Sequence, residues 1–137
     1  MDSVSQDEIK RDEIKKRGFK RFIKSFGYSL DGLKYAYKYE QSMTIHMFMV
    51  IFVIVMGFVL NIALYEWLIC FILMGLVMAT ELINTSIEAV VDLVCPKIHP
   101  LAKIAKDTAS AAVFVFSTVA AVSGLVIFIP KIIALVG

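Results

Sequence analysis

Three carboxylates and one amide share one face of a predicted helix within an otherwise apolar stretch of sequence. Glu81, Asn84, Glu88 and Asp92 follow one another at spacings of three or four residues. At 3.6 residues per turn this spacing stacks them along a helix. The preceding run, Trp67–Thr80, carries no charge. Because ionisable side chains are costly inside a membrane, they are by default functional candidates, and this face predicts a site of chemistry.

The residue types suit transfer of a phosphoryl group from a metal nucleotide. Glu88 and Glu40, which stands at the start of the first apolar segment, are expected to supply two carboxylates to Mg²⁺, which completes its shell with phosphate oxygens. Lys106 and Asp107 open the third apolar segment and suit a phosphate group and a ribose hydroxyl. Glu81 lies deeper in the apolar zone and is the candidate general base for an attacking hydroxyl.

The rest of the sequence predicts the helices that position these side chains. With 59% hydrophobic residues in a chain of 137, the apolar surface exceeds what one small core can bury, so a bilayer must cover part of it. Three apolar segments, at about 43–62, 66–94 and 100–130, are long enough to cross a hydrocarbon layer of about 30 Å. A basic, aromatic helix at about 18–38 suits a membrane interface, and 1–17 is a charged extension. The sequence predicts an all-α membrane protein with one domain.

Prolines and charges indicate how these helices end and which way they run. Two prolines in 95–100 break the second apolar helix from the third, and Pro130 with Lys131 is expected to end the third. Ten of the fourteen Lys and Arg residues precede Glu40, and 95–107 adds three more. Because basic residues favour the cytoplasmic side, we expect a cytoplasmic N-terminus and an extracellular C-terminus in the cell membrane, with no nucleic-acid partner.

Two sequence motifs resemble those of the small prokaryotic diacylglycerol kinases. The first is Glu-x-x-Asn-Thr-Ser-Ile-Glu-x-x-Val-Asp at 81–92, and the second is Ala-Lys-Asp-Thr-Ala-Ser-Ala-Ala at 105–112. The resemblance extends over about 18–131. Glu66-Trp67-Leu68 and the ending 124–131 look more like the Gram-positive undecaprenol kinase branch, and His46 stands where enterobacterial members have an acid.

The resemblance implies a homotrimer of three-span subunits that share active sites and move the ATP γ-phosphate to a lipid alcohol. It favours undecaprenol as the acceptor, with diacylglycerol as the alternative. It implies that Glu81 is the base and that Glu40 and Glu88 hold Mg²⁺. The implied ATP-binding residues are Arg21, Tyr28, Glu40, Glu88, His99, Lys106 and Asp107. Those expected at the substrate and reaction centre are Glu81, Asn84, Ser110 and Trp67, with Asp92 in support.

Other interpretations of the same residues stay open at this point. The acidic face suits an interhelical polar clamp, and the buried acids suit an ion or proton translocator or a non-enzymatic assembly module. Lys106 also suits a side chain that snorkels to the membrane surface. His46 is expected to be an interfacial or packing residue, because no partner His or Cys has metal-ligand spacing.

Overall fold

The computed structural model describes residues 18–137 as four helices. We number them α1 (Phe19–Tyr39), α2 (Gln41–Val59), α3 (Leu64–Val94) and α4 (Pro100–Val136). By length and composition, α2, α3 and α4 are each able to cross a membrane. The all-helical prediction with three spanning segments is thereby confirmed. The predicted extension at 1–17 lies outside the described residues.

The described chain divides into two compact units, one ending at Lys34 and one running from Tyr35 to Gly137. In the first unit, α1 exposes the large apolar side chains of Phe19, Phe22 and Phe26. In the second unit, α3 packs most extensively against α4 and less against α2. The antiparallel order of α2, α3 and α4 brings the N-termini of α2 and α4 to the C-terminal half of α3. We call this the site end, and the opposite end, with the turn at 60–63, the turn end.

The helices are separated by short breaks with clear local causes. Glu40 separates α1 from α2, because its backbone is extended, with φ −102° and ψ 113°. At the turn end Asn61 adopts φ 48°, a left-handed conformation that Asn tolerates better than most residues because its short side chain bonds locally. Pro100 begins α4 at a position where a missing N–H costs nothing.

The helix bounds differ from the sequence prediction in one important place. The prediction that α4 ends at Pro130 is wrong, because the helix continues through this residue to Val136. A proline removes a single backbone donor, and membrane helices tolerate it where neighbouring groups compensate. Lys131 forms an ion pair with Glu66 of α3 at 3.0 Å, which fixes this part of α4. The helices α2 and α3 each begin about two residues earlier than predicted.

An apolar core at the turn end holds the three long helices together. Its buried members are Ile62, Cys70, Ile127 and Phe128, and Trp67 packs against them. A Cβ atom on Gly57 would come within 2.7 Å of the Trp67 ring, so glycine is required for this approach of α2 to α3.

Candidate functional site

The carboxylate of Glu81 is buried between α3 and α2, and its side chain is 3% exposed. The Ser42 hydroxyl donates a hydrogen bond to Oε1. The Nε2 atom of His46, one turn further along α2, lies 3.8 Å from Oε2. This separation exceeds a normal hydrogen bond, so Oε2 retains room for another donor. Such an arrangement suits a carboxylate that accepts a proton from a bound hydroxyl.

Asn84 continues the polar face one turn further along α3. Its amide Nδ2 donates to Glu88 Oε1 at 3.3 Å, while its Oδ1 is buried and has no hydrogen-bond partner among residues 18–137. A buried acceptor left unpaired is costly. A ligand donor at this point would satisfy it, and this observation favours a binding site over a closed polar clamp.

An ammonium surrounded by carboxylates lies at the outermost turn of the site end. Lys106 Nζ contacts both carboxylate oxygens of Asp92, at 3.0 and 3.2 Å. Glu88 and Glu40 also act electrostatically on this ammonium. Lys106 at the start of α4 therefore contacts the end of α3, and the charge of Glu40 at the start of α2 acts on the same ammonium. The three carboxylates whose charges act on this one ammonium carry a net negative charge, which attracts a cation.

Comparisons with known proteins bear on what this arrangement does. The family model of prokaryotic diacylglycerol kinase matches residues 27–128. The undecaprenol kinase of Bacillus subtilis is 41% identical over 112 residues, which cover 82% of this chain and 91% of that protein. A diacylglycerol kinase of Helicobacter pylori is 43% identical over 98 residues, covering 72% and 77%. That of Escherichia coli K12 is 35% identical over 106 residues, covering 77% and 87%.

The chain belongs to the prokaryotic diacylglycerol kinase family. It is therefore a membrane lipid kinase that uses ATP, as the sequence motifs predicted. Among the interpretations that the residues alone left open, family membership decides for the enzyme and against an ion translocator or an assembly module.

The remaining predicted residues occupy more varied positions on this kinase. His99 caps α4, and its Nδ1 accepts from the backbone N–H of Leu101 at 3.2 Å, so Nε2 is the nitrogen that can face a ligand. Asp107 is exposed and pairs with Lys103, and Ser110 is exposed on α4. Arg21 and Tyr28 are exposed on α1, and Arg21 falls outside the matched residues 27–128.

Trp67, which was predicted at the substrate and reaction centre, lies at the turn end, away from Glu81. It lies fourteen residues before Glu81 on α3, about 21 Å away at helical rise. Its ring is centred 5.0 Å from that of Phe58 and 5.6 Å from that of Phe71. Trp67 is therefore a packing residue of the turn end, where its bulk fills the space beside the α2 backbone.

Two contacts of Glu81 were missed by the sequence prediction. Ser42 was assigned no role, and His46 was expected to be an interfacial or packing residue. Their spacing of four residues puts both on one face of α2, and a histidine within a spanning segment is itself a functional signal. From this pattern, Ser42 and His46 could have been predicted to face the acidic side of α3.

Proposed function

We propose that this lipid kinase phosphorylates undecaprenol to undecaprenyl phosphate, with Glu81 as the general base. The observation that carries the base assignment is a nearly inaccessible carboxylate, 3% exposed, one oxygen of which is held by Ser42 while the other has room for a further donor. Because the base lies within a membrane-spanning helix, its substrate hydroxyl reaches it from the bilayer.

The choice of undecaprenol is supported by the relative with the broadest coverage among the three described. The Bacillus subtilis protein is an undecaprenol kinase, and 91% of its length aligns with this chain. The motifs Glu66-Trp67-Leu68 and 124–131 favour the same branch. Diacylglycerol is the second candidate, because the Helicobacter pylori relative, at 43% identity, is a diacylglycerol kinase.

We further propose that Glu40 and Glu88 hold Mg²⁺. Among the described residues no group of three or more His, Cys, Asp or Glu side chains is arranged to hold a metal ion. A Mg²⁺ ion with two protein carboxylates would take its other ligands from phosphates and water, the arrangement this ion usually has in kinases. The electrostatic surplus of carboxylates around Lys106 fits such an ion, which when bound neutralises charge on the transferred phosphate.

In the proposed reaction Glu81 takes the proton of the lipid hydroxyl. The hydroxyl oxygen then forms a bond to the γ-phosphorus, the bond between this phosphorus and the β–γ bridging oxygen breaks, and ADP leaves. Lys106 exchanges part of its contact with Asp92 for the phosphate groups, and Asn84 orients groups at the reaction centre through its unpaired Oδ1. Further nucleotide contacts are assigned to Arg21, Tyr28, His99 and Asp107, and Ser110 is assigned to the reaction centre.

The membrane arrangement belongs to the same proposal. We place α1 in the interface of the cell membrane, because it combines exposed aromatic side chains with several basic residues. The basic bias places the N-terminus and the 95–99 loop in the cytoplasm and the C-terminus outside. Three short spans make a small bundle, so we expect the subunits to associate, and the resemblance of the two motifs implies a homotrimer with sites shared between subunits.

A substrate panel tests the acceptor directly. Purified full-length protein is given labelled ATP, Mg²⁺ and either undecaprenol or diacylglycerol in the same vesicles, and kcat/KM is measured for each. We expect the larger value for undecaprenol, and a larger value for diacylglycerol would overturn the choice. Inactivity of Glu81→Gln with both lipids, in protein of unchanged oligomeric state, supports the base assignment, whereas retained activity would contradict it.

A further inference from the structure

The loop between α3 and α4 carries an apolar side chain that no part of residues 18–137 covers. Ile98 is fully exposed, although it lies in the loop and not on a spanning helix. Leu93, before the loop, and Leu101, after it, are 83% and 69% exposed. Exposed apolar surface that is grouped in this way marks contact with a protein or with a membrane.

This apolar surface continues the exposed apolar faces of the two helices that the loop joins. On α4, exposed apolar residues recur at helical spacing from the loop into the spanning part, at Leu101, Ile104, Val115, Val122 and Val126. On α3, the corresponding residues are Ile83, Val90 and Val94. Because both helices belong to a membrane kinase and are long enough to cross a bilayer, the partner already present along these faces is lipid.

The loop also lies close to the membrane surface. Lys106 Nζ contacts Asp92, and charged side chains at the end of a spanning helix lie in the interfacial layer. Pro100 precedes Lys106 by six residues of α4, which is about 9 Å along the helix. Interfacial apolar groups lie roughly 5 to 10 Å deep in the boundary between head groups and acyl chains. The lipid is therefore within reach of Ile98.

The loop has a defined shape that presents Ile98 beside a cation. Cys95 Sγ donates to the backbone carbonyl of Lys97 at 3.2 Å, and Pro96 and Pro100 restrict the backbone at two positions. The Lys97 side chain is exposed, so its ammonium can contact lipid phosphates while Ile98 contacts acyl chains. An apolar residue next to a lysine is typical of a segment that lies in the membrane interface.

His99 follows Ile98 directly and is bonded to α4 on its other side. Its Nδ1 accepts from the backbone N–H of Leu101 at 3.2 Å, and its carbonyl oxygen accepts from the backbone N–H of Lys103 at 3.0 Å. These two bonds attach His99 to the first turn of α4. A second attachment at Ile98 would fix the backbone on both sides of His99 and so fix the direction of its Nε2 atom.

We propose that Ile98 inserts into the lipid leaflet at the site end and that this anchor positions His99 for the nucleotide. The second part rests on the proposed function, which assigns a nucleotide contact to His99. The loop stays on the cytoplasmic side of the membrane, with the Ile98 side chain among the lipid head groups and the first carbons of their chains. Ile98 is a positioning residue, because it acts on the nucleotide through His99.

Insertion is tested with a spin label at single cysteines in the full-length protein. The background is Cys70→Ala with Cys95→Ser, which keeps a donor for the Lys97 carbonyl. Ile98→Cys is compared with Lys97→Cys, its neighbour in the loop, and with Val126→Cys, a lipid-facing position on α4. Each labelled protein is placed in vesicles of phosphatidylethanolamine and phosphatidylglycerol. Collisions of the label with oxygen, which concentrates in lipid, and with a nickel chelate, which stays in water, are then measured.

We expect the ratio of oxygen to nickel collisions at position 98 to exceed that at position 97 and to approach that at position 126. A ratio at 98 no higher than at 97 would refute insertion. A label at 98 that neither reagent reaches would also refute it, because a second copy of the chain would then cover Ile98.

The positioning role is tested by the kinetics of neutral variants. Ile98→Asn removes the apolar anchor without adding charge, and Ile98→Leu is the matched control that keeps it. We expect Ile98→Asn to raise KM for ATP about threefold to tenfold, because one hydrogen bond to the nucleotide is misplaced, with kcat within about twofold. Ile98→Leu should match the wild type. In a His99→Ala background, Ile98→Asn should raise KM for ATP no further, because the residue through which it acts is gone. An unchanged KM for ATP in Ile98→Asn, or a further rise in the double variant, would overturn the positioning role.

Failure of the proposed function gives a different result. If His99→Ala leaves KM for ATP unchanged, the nucleotide contact of His99 is wrong and the positioning role is refuted with it, whereas the collision ratio still decides insertion. If the wild type prefers diacylglycerol to undecaprenol, the kinetics are measured with diacylglycerol and the expected changes in KM for ATP stay the same.

Discussion

Two buried glutamates on α3 show how one residue type serves opposite purposes. Glu66 is 7% exposed and Glu81 is 3% exposed, and about 22 Å of helix separates them. Glu66 Oε2 accepts from the Ala63 backbone N–H at 2.6 Å and from the Lys131 ammonium at 3.0 Å. Glu81 has a hydroxyl on one oxygen and an imidazole 3.8 Å from the other. A carboxylate held by a cation and a backbone donor is fixed in place, whereas one held by weaker donors remains available for proton transfer.

The two ends of the helical bundle follow the same division. At the turn end Trp67 packs on Gly57, and the polar groups of Glu66 and Lys131 are paired with each other. At the site end Asn84 Oδ1 is buried without a partner among residues 18–137. Unpaired groups of this kind reduce stability and persist where function needs them. The turn end therefore stabilises the bundle, whereas the site end keeps a buried acceptor available for a ligand.

The largest effect short of removing the base is expected at the proposed metal site. Glu88→Gln keeps an oxygen that can accept from Asn84 Nδ2 but removes the negative charge. We expect turnover to fall about 100-fold or more and half-saturation to require more Mg²⁺, measured by titrating Mg²⁺ at fixed ATP. Chelation of Mg²⁺ should abolish turnover of the wild type. An unchanged Mg²⁺ dependence in Glu88→Gln would remove this residue from the metal site.

Substituting one lysine at each end of the bundle is expected to have smaller effects, which differ between the two ends. Lys106→Met should raise KM for ATP about tenfold, since a charged hydrogen bond to phosphate is lost. Lys131→Met, the matched change at the turn end, should leave KM for ATP unaltered and lower the thermal midpoint by roughly 5 °C, because Glu66 loses its counterion. Steady-state kinetics and thermal unfolding of both variants check this pair. A rise in KM for ATP in Lys131→Met would contradict the claim that the turn end stabilises the bundle and takes no part in ATP binding.

The smallest effect is expected at Ser42, which only positions the base. Ser42→Ala removes one neutral hydrogen bond to Glu81, so kcat should fall between about twofold and tenfold. Ser42→Thr retains the hydroxyl and should stay near the wild-type value. The kcat values of these two variants measure how much the Ser42 hydroxyl contributes to positioning Glu81, the glutamate that is compared with Glu66. A loss comparable to that of Glu81→Gln would give Ser42 a direct role in the chemistry.

The sequence predicted the parts of the molecule that follow from local pattern. Apolar length gave three spanning helices, and the spacing of Glu81, Glu88 and Asp92 put them on one face, because helical periodicity is independent of the partner helix. The proximity of Lys106 to that face followed from the short proline-containing loop between α3 and α4.

What sequence could not predict depended on contacts between helices. Nothing in the local pattern says that Lys131 meets Glu66, so Pro130 was read as a helix end although the tertiary ion pair lies just beyond it. Ser42 and His46 were missed for the same reason, since their role exists only when α2 faces Glu81. The packing of Trp67 against Phe58 and Gly57 likewise depends on how α2 meets α3.

The most direct test of the account compares Glu81→Gln with Glu66→Gln in a single-turnover assay. Protein in excess is mixed with labelled ATP, Mg²⁺ and undecaprenol in vesicles, and lipid phosphate is followed in time. We expect the transfer rate of Glu81→Gln to fall by a factor of about 10² to 10⁴, as loss of a general base does, with oligomeric state unchanged. Glu66→Gln should transfer phosphate within about twofold of the wild-type rate and unfold at a lower temperature. Wild-type transfer by Glu81→Gln, or equal loss in both variants, would contradict the distinction between the two glutamates.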